Sequence, residues 1–211
     1  MNLPPHAGMK SGLKTGAGMV IREAKASDAG HLVQFINMAA DDLPLHFWRK
    51  SVGPQGDPWA YGQERAAREA GNFSYRNAWI AEVGGEVAAC LLGYPAEAAP
   101  GPVDPDTPAI FVPLLQLEAL APGSWYLNVL ATYEPFRGKG LGSALLAHAE
   151  TVARRAGFAT ISLIAEDTHH EARRLYGAKG YREVARRPVV KGDWQVGASD
   201  WILFIKPLGA A

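Results

Sequence analysis

The stretch that most constrains this chain runs from Trp125 to Gly157. Trp125 to Ala131 is an apolar run bounded by turn residues and reads as a buried strand. From Leu141 the apolar positions Leu145, Leu146, Ala149, Val152 and Ala153 fall at helical spacing. Between the two lies Arg137-Gly138-Lys139-Gly140-Leu141-Gly142. The order is strand, glycine loop, helix, with Arg154 and Arg155 in the last helical turn and Gly157 where a left-handed cap belongs.

Alternate glycines before a helix leave backbone N–H groups uncovered by any Cβ, at the positive end of the helix dipole. Such a concavity binds anions. Arg137 and Lys139, interleaved with the glycines, add a guanidinium fork and an ammonium where phosphate oxygens would lie. The letters are not a dinucleotide fingerprint, which needs G-x-G-x-x-G, nor a P-loop, which needs G-x-x-x-x-G-K followed by Ser or Thr.

What fits is [Gln/Arg]-x-x-Gly-x-[Gly/Ala], together with a second motif further on. There His169 is followed by Ala172, Tyr176, Gly180 and Tyr181, close to Asn-x-x-Ala-x-x-x-Tyr-x-x-x-Gly-[Phe/Tyr]. In both motifs the chain resembles the GNAT superfamily of acetyl-CoA-dependent N-acetyltransferases. Ile21-Arg22-Glu23-Ala24 with Asp28 and Leu32 also resembles the way such domains open. The resemblance covers residues 19 to 207.

It implies an α/β (α+β) fold with a mixed, mostly antiparallel central sheet of six to seven strands and helices on both faces. It also implies acetyl-CoA as cosubstrate. Its diphosphate would lie on Arg137, Gly138, Lys139, Gly140, Leu141, Gly142 and Ser143, and its pantetheine arm against Leu130, Ala131 and Thr132, where the family's strand splays from its neighbour. His169, Ala172 and Tyr176 complete the implied cofactor contacts, with His169 departing from the family Asn.

Composition bounds the rest. The 211 residues suit one domain with a sizeable core, and 21 basic against 21 acidic residues leave no net field for nucleic acid or an anionic membrane. The single cysteine, Cys90, sits in the apolar run Val87 to Leu92 and reads as a packing residue, which suits a reducing compartment. No run approaches the length of a membrane span and no signal-type segment opens the chain, so a cytoplasmic protein is expected.

In chain order, residues 1–18 read as a flexible tail and 19–207 as one domain carrying an insertion at 95–124. Met19 to Glu23 reads as the first strand, and Ser27-Asp28 as the cap of a helix with Leu32, Val33, Phe35 and Ile36 on its apolar face. From Asp41 to Asn77 a helical pattern is broken by prolines and glycines, and its aromatics either wall the acceptor groove, as in the family, or pack the helices. Ala78 to Val83, Gly84-Gly85 and Glu86 to Gly93 form a hairpin. The long connection 94–124 holds a short helix over 110–120 and serves as a lid or a homodimer contact. Thr160 to Ala165 reads as a strand, Glu166-Asp167-Thr168 opens a helix, and Tyr181 to Val190 and Asp200 to Ile205 are closing strands.

Amine attack on a thioester needs an uncharged amine, an oxyanion cradle and a proton for the departing thiolate. Tyr176 supplies the proton in this reading. The strand position that often carries a Glu in the family holds Asn128, which can orient a water but takes no proton. Glu82, Glu118, His46 and His170 remain as relays, and a metal set of Asp167, His169, His170 and Glu171 lacks H-E-x-x-H spacing. The expected function is acetyl transfer to a primary amine of a small molecule, peptide or protein. The alternatives are a non-catalytic coenzyme A-binding module and a transferase for a longer acyl group.

Overall fold

The computed structural model describes residues 13–15 and 18–209. An eight-stranded sheet takes the order β1-β2-β3-β4-β5-β6-β8-β7. The strands are β1 Leu13–Thr15, β2 Met19–Glu23, β3 Ala78–Val83, β4 Glu86–Pro95, β5 Trp125–Thr132, β6 Thr160–Glu166, β7 Arg182–Pro188 and β8 Asp200–Pro207. The count exceeds the expected six to seven by the short β1, which pairs antiparallel with β2 inside the segment read as a tail. The rest of that segment lies outside the described residues.

Every neighbouring pair is antiparallel except β5 with β6, whose link is the glycine loop and its helix. A parallel pair requires such a crossover, whereas Gly84 and Gly85, at φ 61° and 86°, close the β3–β4 hairpin in a two-residue turn.

Helices cover both faces. Alternation along β3 sends Trp79 and Ala81 to one side and Ala78 and Ile80 to the other. The first side packs α5 (Leu141–Arg155) and α6 (His170–Ala178). The second packs α1 (Ala29–Met38), α2 (Leu43–Val52) and α3 (Pro58–Ala66). Leu32, Val33, Phe35 and Ile36 of α1 are buried, as their spacing requires. Cys90 is fully buried in the same cluster.

The insertion folds back on its own domain. After a short turn at Ala109–Phe111, α4 (Val112–Glu118) tolerates Pro113 because it falls in the first helical turn. Its Leu117 packs with Leu43, Trp194, Trp201 and Leu203. The aromatics before β3 are largely structural: Trp48 is buried 6.0 Å from Trp59, and Phe47 lies 4.2 Å from Phe111. Among the described residues no helix is long and apolar enough to cross a membrane.

Candidate active site

The site begins with a defect in the sheet. β5 and β6 pair through Trp125, Tyr126 and Leu127, opposite Ile161, Ser162 and Leu163, and then part. Beyond Leu127, β5 keeps its ladder with β4 but among the described residues pairs with no strand on its other side, which leaves backbone polar groups of that edge without strand partners, and the Thr132 carbonyl accepts from Arg137 Nε at 3.3 Å. The splay thus starts at Asn128, two residues before the expected Leu130.

A bulge marks the same point. Leu92 pairs with Val129 and Gly93 with Leu127, leaving Asn128 as the extra residue. Its insertion resets the alternation: Leu127 and Leu130 face α5, three residues apart, while Tyr126 and Val129 face the α1 side. The Asn128 side chain donates from Nδ2 to the Tyr94 hydroxyl at 3.2 Å.

The glycine loop follows. Gly138 and Gly140 have φ of 74° and 81°, a left-handed geometry that side chains with a Cβ resist, and Gly140 caps α5. At the far end Gly157, φ 85°, donates to the Arg154 carbonyl and Phe158 donates to the Ala153 carbonyl, the double bond pattern that terminates a helix. Both ends of α5 are therefore fixed by local chemistry.

Across the splay lies α6. It starts at His170, capped by His169, and not at Glu166, which closes β6. Tyr176 is 6% exposed, and burial pushes its phenol up to about 12. His169 Nε2 lies 3.3 Å from Asp41 Oδ1 and 3.8 Å from Glu166 Oε2. Burial and the neighbouring Asp41 hold the Glu166 carboxyl well above the usual range. Asp41, Glu166 and His169 thus form one cluster, and Asp167, His170 and Glu171, which with His169 were set aside as a metal set on their spacing, are not part of it. Asp167 accepts from the Ser199 N–H instead.

These elements enclose a cleft of about 800 Å³. Asn128, Leu130, Ala131, Thr132, Arg137, Gly138, Gly140, Leu141, Gly142, Ser143, His169, Ala172 and Tyr176 all line it. Lys139 does not; its ammonium sits 5.2 Å from the centre of the Phe136 ring. Phe136, Asp41 and Arg174 line the cleft without having been singled out from the sequence, since no motif position marks them.

The family model for GNAT acetyltransferases matches residues 37–181, spanning the bulged strand, the glycine loop and Tyr176. The chain belongs to the GNAT acetyltransferase family. Solved structures of acetyltransferases agree in fold. One acetyltransferase is 22% identical, with 90% of this chain and 99% of that one covered and a TM-score of 0.62. The N-acetyltransferase from Staphylococcus aureus Mu50 is 17% identical, with 88% and 99% covered and a TM-score of 0.62. The polyamine N-acetyltransferase of Drosophila melanogaster, which forms N-acetylagmatine, is 15% identical, with 90% and 99% covered and a TM-score of 0.61. No curated protein matches the sequence.

Within this GNAT domain the four relay candidates fall in different places. Glu82 accepts from Arg22 Nε at 2.7 Å on β3, outside the cleft. His46 lies 3.1 Å from Asp193. His170 lines the cleft from the start of α6. Glu118, the last residue of α4, lines a second cavity of about 960 Å³ that also contains Tyr94.

Proposed function

We propose that this GNAT protein transfers the acetyl group of acetyl-CoA directly to a primary amine. The observation that carries the reading is a single cleft holding three parts in sequence: the left-handed glycine turn at the start of α5, the unpaired edge of β5, and the phenol of Tyr176. Its volume is in the range that takes a small-molecule cofactor.

Each part has a task. The amides of the loop and the first turn of α5 hold a diphosphate, helped by the helix dipole and by Arg137. The free edge of β5 from Asn128 to Thr132 bonds the amides of an extended pantetheine arm as a missing strand would, and so places the thioester carbonyl against backbone donors. Tyr176, protonated throughout the neutral range, donates to sulfur as the C–S bond breaks. The amine is the free base, and its nitrogen forms the new C–N bond.

Among the similar folds are enzymes for N-acetylation of polyamines and agmatine, which supports an amine acceptor without fixing which one. The test is thiol release from acetyl-CoA with a panel of amines, run with wild type and with Tyr176→Phe. Amine-dependent release that falls about 100-fold in kcat in the variant supports the reading. Tight coenzyme A binding with no release from any amine would indicate a binding module. Faster turnover of longer acyl thioesters would move the donor away from acetyl.

A further inference from the structure

The second cavity lies at the opposite end of β5 from the glycine loop. Its walls are the segment before β3, the end of β4, and the insertion with α4. Tyr94 is in its wall, and the Tyr94 hydroxyl accepts from Asn128, which is in the wall of the cofactor cleft. The two spaces therefore share one hydrogen-bonded pair across the bulge. Glu118 enters this cavity from α4, and its charge adds to the burial that chiefly raises the Tyr94 and Tyr126 phenols. Among the described residues its carboxylate has no ion-pair or side-chain hydrogen-bond partner. A half-buried carboxylate without a partner, set among phenols, is costly to keep unless it acts on something else.

We propose that the acceptor amine enters through this second cavity and that Glu118 receives the proton the amine must lose before it attacks. The proposal rests on the acetyltransferase reading above, and it gives the insertion the role of an acceptor wall.

The proton balance closes. The acceptor arrives as an ammonium and gives one proton to the Glu118 carboxylate, leaving a lone pair. That lone pair forms the C–N bond, the C–S bond breaks, and sulfur takes a proton from Tyr176. The nitrogen's surplus proton restores the phenol, and Glu118 returns its proton to solvent. Burial, with the nearby charge of Glu97, pushes the Glu118 carboxyl up to about 7. A base in that range is ionised often enough to act and basic enough to accept.

The charges facing Glu118 also bear on the acceptor. Glu97 comes from the loop after β4, Tyr94 from β4 and Tyr126 from β5, and Glu23 and Asp104 lie further along the cavity wall. Arg76, the cationic side chain in the lining, is paired with Glu69. This field favours an aliphatic amine carrying a second positive charge over a neutral or acidic one.

The test compares wild type with Glu118→Gln, using putrescine and n-butylamine as acceptors across pH 6 to 10. In wild type, kcat/KM for putrescine should rise with pH through a midpoint near pH 7 and level off above about pH 8, and putrescine should exceed n-butylamine by about 10-fold at low salt. In Glu118→Gln, kcat/KM should fall about 100-fold at pH 7 and keep rising toward the amine's own ionisation, with coenzyme A affinity unchanged. Glu118→Asp should recover part of the rate, and a Glu118→Gln melting temperature no lower than that of wild type at the same pH excludes a folding defect. An active wild type with a Glu118→Gln profile superimposable on its own overturns the assignment and leaves the acetyltransferase reading intact. A wild type that binds coenzyme A but acetylates neither these amines nor the wider panel overturns both.

Discussion

Asn128 donates to the Tyr94 hydroxyl at 3.2 Å, so a residue of the glycine-loop cleft and a residue of the second cavity are held as one unit. The bulge makes this contact by turning one β5 position out of the regular alternation. Asn128→Ala should therefore leave coenzyme A binding within about 2-fold while lowering kcat/KM for the amine about 5-fold, the worth of one neutral hydrogen bond. Steady-state kinetics alongside a calorimetric titration would show it. Unchanged kinetics would mean that the pair has no part in placing the acceptor.

Gly140 has open space around its α-carbon, so a methyl there meets no atom and its cost is purely torsional. Gly140→Ala should lose about 1–2 kcal/mol from the left-handed backbone. That corresponds to a drop of about 2–8 °C in Tm by calorimetry. The reshaped turn should also weaken coenzyme A binding at least 10-fold. A variant with native Tm and native affinity would show that the turn does not need its positive φ.

Gly93 answers to packing and not to torsion. A Cβ there would lie 2.1 Å from the Trp125 ring, directly beside the bulge. Trp125 is buried and cannot swing aside, so Gly93→Ala should destabilise by at least about 1–3 kcal/mol in urea unfolding. Wild-type stability in this variant would rule out the close strand-on-indole contact.

Glu118 and Glu166 both have folded-state pKa values above the unfolded ones, Glu118 at about 7 and Glu166 raised by burial and by Asp41. Between the unfolded value and the raised one the native state binds more protons, so stability must fall as pH rises through this window. The contribution is whole below about pH 4.5 and gone above the folded pKa values. Urea midpoints should thus decline from pH 5 to 8, and Glu118→Gln should flatten part of that decline by about 1–2 kcal/mol. A variant with the wild-type slope would contradict a raised Glu118.

Much of this was legible in the sequence because local chemistry dictated it. The β3–β4 hairpin, the two ends of α5 and the buried face of α1 follow from glycines at forced φ and from apolar spacing. Tyr176 and the glycine loop were found by motif. Lys139 was placed in the loop by interleaving and by the motif, neither of which fixes side-chain direction, and its ammonium lies over Phe136. The start of α6 was set too early because Glu166 is a strand residue whose carboxyl shares a cluster with Asp41 and His169, groups remote in sequence. The pairing of β1 and the joining of Asn128 to Tyr94 depend on contacts between distant segments, which no local pattern encodes.

The most direct measurement is a calorimetric titration of the purified protein with coenzyme A and, separately, with pantetheine, which lacks the diphosphate. Gripping of the diphosphate by the loop between Arg137 and Gly142 predicts micromolar binding of coenzyme A and at least about 100-fold weaker binding of pantetheine, a difference of about 2.7 kcal/mol. Equal affinities for the two, or no heat with either, would contradict it.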